Sequence, residues 1–348
     1  MSAVPTAVDV FSGCGGSSLG VVGAGFEVVG AVEVDEVAAI SYRRAVGVAA
    51  TVADIRDISP ETLAPSGAQG ELTLLFGCPP CQSFTDLRRG RSRTSADDER
   101  DRMPDEYVRF ASRLEPRNIV FENVPGLVAG RHRTSFDRFI TSLTTLGYRI
   151  AWGVLDAADF GVPQRRRRLV VVGSRVATPR LPEPTHGPTT RHAHKVVRDA
   201  IARLPGLGSG EASDGDPMHR ARHHSELVVE RLRHLGPDGS RRDLPQRLQL
   251  RCHLGHDGHK DAYGRMSWDK PAPTLTSGCT NVTRGRFCHP EQDRAITPRE
   301  ALLLQSFPAD VILAGGAEAV AAQIGNAVPP VMATAIAAAV LDFDPPNL

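Results

Sequence analysis

The sequence predicts an open α/β fold with a doubly wound, mostly parallel sheet and a second, smaller domain. Three observations predict it. Short apolar, β-rich runs alternate with helical stretches through the first half of the chain. Glycines, prolines or lone carboxylates stand just after several of these runs, where ligands of such sheets bind. Beyond Arg175 the texture changes: Pro179, Pro182, Pro184 and Pro188 break any regular element, and an Arg-, His- and Gly-rich region of weak periodicity follows.

Taken in order, Ala7–Phe11 reads as a buried strand, followed by a glycine-rich turn and a helix near Ser17–Ala24. Val28–Val34 is a second strand and Glu36–Arg44 a helix. Leu72–Cys78 is a third strand, Asp105–Leu114 a helix, Asn118–Val124 a strand and Ser135–Leu146 a helix. Arg149–Leu155 and Leu169–Ser174 close the series. Helical order returns near Thr297, which caps, with Pro298 in the first helical position and Glu300 at capping-box spacing. An alanine-rich helix from Val331 to Leu341 ends the pattern. The expected organisation is a first domain over 1–175, a second over 176–290 and a return to the first over 291–348.

Net charge is +1, so bulk charge announces no polyanionic partner. The basic residues are nearly all arginine, Lys195, Lys260 and Lys270 being the only lysines; a GC-rich genome explains most of that bias. Two arginine clusters, Arg88, Arg89, Arg91 and Arg93, and Arg165 to Arg168, suit phosphates even in a neutral protein. The first residues, MSAVPTAVDVF, lack the basic region and apolar core of a signal peptide, and no window approaches a membrane span of about 20 apolar residues. A cytoplasmic location with reduced cysteines is therefore expected.

Asp9-Val10-Phe11-Ser12-Gly13-Cys14-Gly15-Gly16 joins the first strand to the first helix. Glycines let a backbone approach a ligand, and a helix N-terminus offers free N–H groups. The spacing is not the full dinucleotide fingerprint, because Ser18 occupies its last glycine position. Glu33, about twenty positions on, suits a ribose diol. Asp54 suits either an adenine amino group or a cap.

Phe76-Gly77-Cys78-Pro79-Pro80-Cys81-Gln82-Ser83-Phe84 leaves the third strand. Two prolines stiffen the chain before Cys81, which suits a nucleophile. The Cys78-x-x-Cys81 spacing also occurs in redox motifs, but those open a helix in a much smaller fold. Cys78, Cys14, Cys279 and Cys288 read as buried structural cysteines. Glu122, at the end of an apolar strand, needs a partner: it is either a protonated acid or an ion-paired carboxylate. In Pro163-Gln164-Arg165-Arg166-Arg167-Arg168, strand alternation puts Arg166 and Arg168 on one face and Arg165 and Arg167 on the other; a nonspecific basic patch is the competing reading.

These blocks together resemble the cytosine-5 DNA methyltransferase family. They are DVFSGCGG, EVD, GCPPCQSF, FENVPGL, FGVPQRRRR, RMSWDKPAPTLTS, RAITPREALLLQSFP and IGNAVPP, in the family's order and over most of the chain. The resemblance implies a Rossmann-like class I methyltransferase domain and a target-recognition domain. It implies S-adenosyl-L-methionine as cofactor and double-stranded DNA as partner. Phe11, Gly13, Gly15, Gly16, Glu33, Val34, Asp54, Ile55, Asn326 and Val328 match cofactor positions. Val34 stands where an aromatic residue is common. Cys81 matches the nucleophile, Glu122 the residue at cytosine N3, and Arg166 and Arg168 the arginines near cytosine O2 and the active-site loop. The target base must leave the duplex to reach Cys81. Ser83–Met103 is then either a lid or an ordinary solvated loop, and Arg, His and Gln of the recognition region would read bases and phosphates.

Cys252, His253, His256 and His259 lack a second cysteine pair, so no metal is expected. A monomer suffices for one flipped base. The sequence leaves two readings open: a cognate restriction endonuclease that shares the site without direct contact, or a solitary enzyme. The alternatives are a tRNA cytosine-5 methyltransferase, against which the long recognition region argues, and a non-catalytic DNA-binding relative, against which Cys81, Glu122 and the arginines argue.

Overall fold

The computed structural model describes residues 4–64, 72–80, 102–250 and 261–346. Two compact units emerge: residues 1–156, 167–184 and 328–348 form the first, and residues 157–166 and 185–327 the second. Return to the first unit thus falls at Val328, later than the texture of the sequence suggested.

The first unit is built on strands β1 (Thr6–Val10), β2 (Glu27–Glu33), β3 (Thr51–Val52), β4 (Leu74–Gly77), β5 (Asn118–Asn123), β6 (Arg149–Asp156) and β7 (Arg167–Ser174), in the order β3-β2-β1-β4-β5-β7-β6. β1 through β5 pair in parallel, and β7 runs antiparallel between β5 and β6. The chain first winds outward from β1 to β3, then crosses back to β4. The strand order therefore reverses between β1 and β4, and ligands of open α/β sheets bind at the carboxyl ends of strands at such a point. The glycine loop leaves β1 there, and Cys78-Pro79-Pro80 leaves β4.

Helices α1 (Gly16–Gly23), α2 (Glu36–Val46), α3 (Met103–Leu114), α4 (Arg133–Thr145) and α9 (Pro330–Phe343) belong to this unit. The α3 pattern buries Met103, Tyr107, Phe110, Ala111 and Leu114, one side of a 3.6-residue period. Tyr107 lies in the core with its hydroxyl 3.0 Å from the carbonyls of both Leu75 and Val120, on neighbouring strands β4 and β5. Against α9, α1 presents Gly20: a Cβ there would stand 2.4 Å from Ala333 Cβ and 2.5 Å from Pro330 O, so only glycine allows this approach. Asp344, just past α9, is paired with Arg117 and accepts from Asn118 Nδ2 at 2.6 Å.

The second unit has little regular structure: α5 (Val197–Ile201), α6 (Glu226–Arg233), α7 (Pro298–Leu304) and α8 (Ala317–Asn326), joined by 3-10 turns and isolated bridges. A small core forms around Leu232, Leu235, Leu244, Leu248, Tyr263 and Val282. The expected capping box is present: Thr297 Oγ1 accepts from Glu300 N–H at 3.1 Å, and Glu300 Oε2 accepts from Thr297 N–H at 2.7 Å. The stretch Ala317–Phe343 is long and apolar enough to cross a membrane, which the sequence reading had not anticipated; it is two helices, broken before Pro330, and 56% of its most apolar window is buried inside the protein.

Candidate active site

The loop after β1 is shaped by backbone that ordinary residues avoid. Phe11, Gly13 and Gly15 have φ of 61°, 54° and 93°. Phe11 is a rare case for a bulky residue, and such strain gathers at functional sites. A Cβ on Gly13 would meet nothing within 4 Å, so the loop faces open space there. Glu33, closing β2, holds the loop: Oε2 accepts from Gly13 N–H at 2.8 Å and Oε1 from Asp35 N–H at 2.9 Å. The next residue, Val34, is 65% exposed, unusual for a valine following a buried strand. Asp54 caps the turn Ile55–Asp57 and is paired with Arg56, 2.6 Å from Nη2; its carboxyl is held below the usual range, mainly by the Arg56 hydrogen bond. The cap that the sequence allowed is thus real. Ile55 is buried. Asn326 is exposed at the end of α8, and Val328 is buried.

A second cluster sits where β5 and β7 meet. Glu122 faces Val170 across the antiparallel ladder, so Arg168, two residues before Val170, shares its face. Arg168 Nε lies 2.9 Å from Glu122 Oε1, with both side chains largely buried. It is the cation a buried carboxylate needs nearby, a charge contact rather than an aligned hydrogen bond, since Oε1 accepts no hydrogen bond among the described residues. Cys78 Sγ–H donates to the other oxygen, Oε2. Cys78 therefore lies just past β4 and touches the candidate acid, rather than filling the strand as the sequence suggested. Asn123, the last residue of β5, donates from Nδ2 to the Pro79 carbonyl at 3.2 Å and ties down the loop that leads to Cys81. Cys81 itself, Gln82, and residues 83–101 of the expected lid Ser83–Met103 lie outside the described residues. So do Cys252, His253, His256 and His259.

The arginine run alternates as expected, Arg165 and Arg167 being exposed and Arg166 and Arg168 shielded. The two shielded residues do different things. Arg166 is 1% exposed and donates from Nη1 to Leu275 O and from Nη2 to Gly325 O, both at 3.0 Å and both within the second unit. Gln164 is buried too, bonded to Gln305 Oε1 and accepting from Leu275 N–H. Sequence reasoning missed the roles of Gln164, Asn123 and Cys78, since a side chain's bond to a distant backbone has no local signature. Cys14, Cys279 and Cys288 are buried, and burial pushes each thiol up to about 12, as suits inert cysteines.

This arrangement can be compared with known proteins. Two curated relatives align over nearly the whole chain. The Type II methylase M.HgiDII of Herpetosiphon aurantiacus is 34% identical over 98% of this chain and 96% of its own length. The Type II methyltransferase M1.HphI of Haemophilus parahaemolyticus is 36% identical over 97% of this chain and 87% of its own. Among solved structures, a putative DNA modification methyltransferase encoded within an E. coli prophage superposes with a TM-score of 0.73 at 22% identity, covering 97% of this chain and 99% of that one. The Dnmt2 methyltransferase of S. pombe gives 0.64 at 15% identity, over 97% and 98%. These two likenesses are of fold. Residues 6–342 match the family of C-5 cytosine-specific DNA methylases, and with relatives this similar over nearly its full length the chain belongs to that family.

Proposed function

We propose that the protein methylates carbon 5 of a flipped cytosine within a specific duplex DNA sequence, with Cys81 as nucleophile. The observation that carries this reading is the buried Glu122–Arg168 pair, at the ends of β5 and β7. Beside it Asn123 anchors the Pro79 carbonyl, two residues before Cys81.

S-adenosyl-L-methionine, the cofactor of this family, supplies an electrophilic methyl group when bound. The first unit fits it: the open space over Gly13, the Glu33 carboxylate beside the loop and the exposed Val34 suit a nucleoside with a diol and a flat base. Phe11, Gly13, Gly15 and Gly16 would line that pocket, Glu33 take the ribose, Val34 pack on the adenine, and Asp54 and Ile55 meet its edge. Asn326 and Val328 carry a cofactor role by resemblance to the family.

On the substrate, addition of the Cys81 thiolate to C6 removes the 5,6 double bond and makes C5 nucleophilic; once C5 carries the methyl group, loss of its proton expels the Cys81 thiolate and restores the double bond. Glu122 engages N3, and Arg168, which orients Glu122, stabilises charge that builds toward O2. Arg166 is a positioning residue that holds the carbonyls of Leu275 and Gly325. The second unit is proposed to recognise the target sequence, and the enzyme to act as a cytoplasmic monomer, either solitary or sharing its site with a restriction endonuclease that it does not touch.

Methyl transfer from labelled cofactor to duplex DNA, with tRNA as a second substrate, tests the reading. Transfer to DNA alone is expected, and Cys81→Ala should reduce it by about a thousandfold or more. Equal transfer by wild type and Cys81→Ala would overturn the mechanism, and transfer to tRNA alone the substrate. Bisulfite sequencing of DNA from expressing cells then gives the recognition site.

A further inference from the structure

Glu122 has neighbours on both of the strands beside β5. On the β7 side Arg168 stands by Oε1. On the β4 side is Cys78. Gly77 pairs with Phe121 in the parallel ladder, so Cys78 comes next along it, beside Glu122, and the two side chains leave one face. The backbone of Cys78 has little freedom. Its N–H reaches Val10 O at 3.4 Å, one residue beyond the end of β4. A Cβ on the preceding Gly77 would stand 2.6 Å from Tyr107 and 2.8 Å from Val10. Pro79 and Pro80 follow, and Asn123 Nδ2 holds Pro79 O at 3.2 Å. From this fixed point Cys78 Sγ–H donates to Glu122 Oε2.

That bond does what the ion pair cannot. The last torsion of a glutamate is broad, so a cation at one oxygen leaves the carboxyl free to turn. Among the described residues Oε1 accepts no hydrogen bond, and the one at Oε2 comes from Cys78. A donor at the second oxygen fixes the plane of the group, so the edge that meets a base is set before the base arrives. A thiol is also a weak donor, and its bond exchanges readily for a stronger one to the ring. Cys14, Cys279 and Cys288 lie buried, as cysteines that fill apolar space do; Cys78 is only half-buried and turns its donor to the acid.

We propose that Cys78 is a positioning residue for methyl transfer: its thiol fixes the plane of the Glu122 carboxyl and so orients it toward N3 of the flipped cytosine. The proposal rests on Glu122 being the group that engages N3. No step of the chemistry passes through the Cys78 sulfur, so a serine hydroxyl can take its place.

The test is single-turnover methyl transfer from labelled S-adenosylmethionine, under reductant, to a duplex carrying the site that bisulfite sequencing gives. Cys78→Ala is expected to lower the rate about tenfold, with Kd for duplex and for cofactor within about twofold of wild type. Cys78→Ser, which keeps a donor, should bring the rate back to within about threefold of wild type. Glu122→Ala should lower the rate by about 10²–10³-fold. Adding Cys78→Ala to it should change the rate by less than about twofold, since no carboxyl remains to orient. A role in packing alone would make the two losses multiply and leave serine no better than alanine. Cys78→Val, which fills the space without donating, replaces Cys78→Ala if that variant fails to fold. A wild-type rate in Cys78→Ala, multiplying losses in the double variant, or no rescue by serine overturns the proposal alone. A Glu122→Ala enzyme as fast as wild type overturns the reading of Glu122, and this proposal with it.

Discussion

The two units satisfy their backbones in different ways. In the first, carbonyls and N–H groups are joined strand to strand along a seven-stranded sheet, and its buried charge stands at strand ends, as in Glu122 with Arg168. In the second, arginine side chains take over part of the ladder's work. Arg265, 3% exposed, donates to the carbonyls of Leu232, Leu235, His289 and Gln292 and pairs with Asp293 at 2.6 Å. Arg294, wholly buried, bonds the carbonyls of Leu207 and Ala295 and both oxygens of Glu300. Arg231 holds Leu248 O, and Arg166 holds Leu275 O and Gly325 O. A guanidinium has five donors in a rigid plane, which suits irregular chain with unpaired carbonyls. Arginine richness in such a region therefore needs no polyanion to explain it: it is how a coil-rich domain meets the cost of burying its backbone.

Perturbing one charge in each unit should break the comparison differently. The largest effect is expected from Arg168→Met, which leaves Glu122 buried beside no cation. Steady-state assays should show kcat lowered by about 10²–10³-fold, and denaturant unfolding a loss of about 3–5 kcal/mol. Arg265→Met should cost about 3 kcal/mol or more in the same unfolding measurement, by stranding several carbonyls at once. Arg265→Lys should rescue little of it, since a point charge cannot span the same carbonyls; full recovery would mean that charge, not shape, matters there.

Acid should separate the units by sign. Asp9 has its ordinary value of 3.8 raised to about 6 by burial, so the folded chain holds a proton the unfolded chain has lost between those values. Lowering the pH through that window should stabilise the protein by up to about 3 kcal/mol, a gain absent in Asp9→Asn. Glu300 goes the other way: burial, the largest single influence, raises it, but the hydrogen bonds and charge of Arg294, with smaller help from His289 and the Thr297 N–H, together hold it below its ordinary 4.5. Its contribution is complete above about 4.5 and is lost as pH falls through the lowered value, which an unfolding series with Glu300→Gln checks. The smallest effect is expected from Thr297→Ala, about 1 kcal/mol from loss of the capping box, again by denaturant unfolding.

Much of the first unit was legible because apolar runs of strand length and amphipathic helices leave a periodic trace. Six of its strands and its helices were expected within a few residues; β3 escaped because Thr51–Val52 is two exposed residues long. α8 escaped because its alanine-rich sequence, which buries Val320, Ala321 and Ile324, shows no sharp apolar stripe. Glu33 and Glu122 could be picked out as carboxylates at strand ends, and Arg168 by alternation along β7. Arg166 shows the limit of that logic. Alternation fixes which way a side chain points, but the carbonyls that receive it, at Leu275 and Gly325, are more than a hundred residues away in sequence. The second unit was opaque for the same reason: its order lies in side-chain bonds to distant backbone, which no local period encodes.

Gly20 carries a further consequence, for how the protein comes into being. The helix behind the glycine loop packs against Ala333 and Pro330, and Asn118 of β5 is bonded to Asp344. The first unit therefore cannot finish folding when its own strands leave the ribosome. At roughly 5–20 residues per second, residues 185–327 must be translated before α9 arrives to cover α1. Until then the α1 surface around Gly20 lacks the cover of that helix, and on this arithmetic it waits several seconds for it.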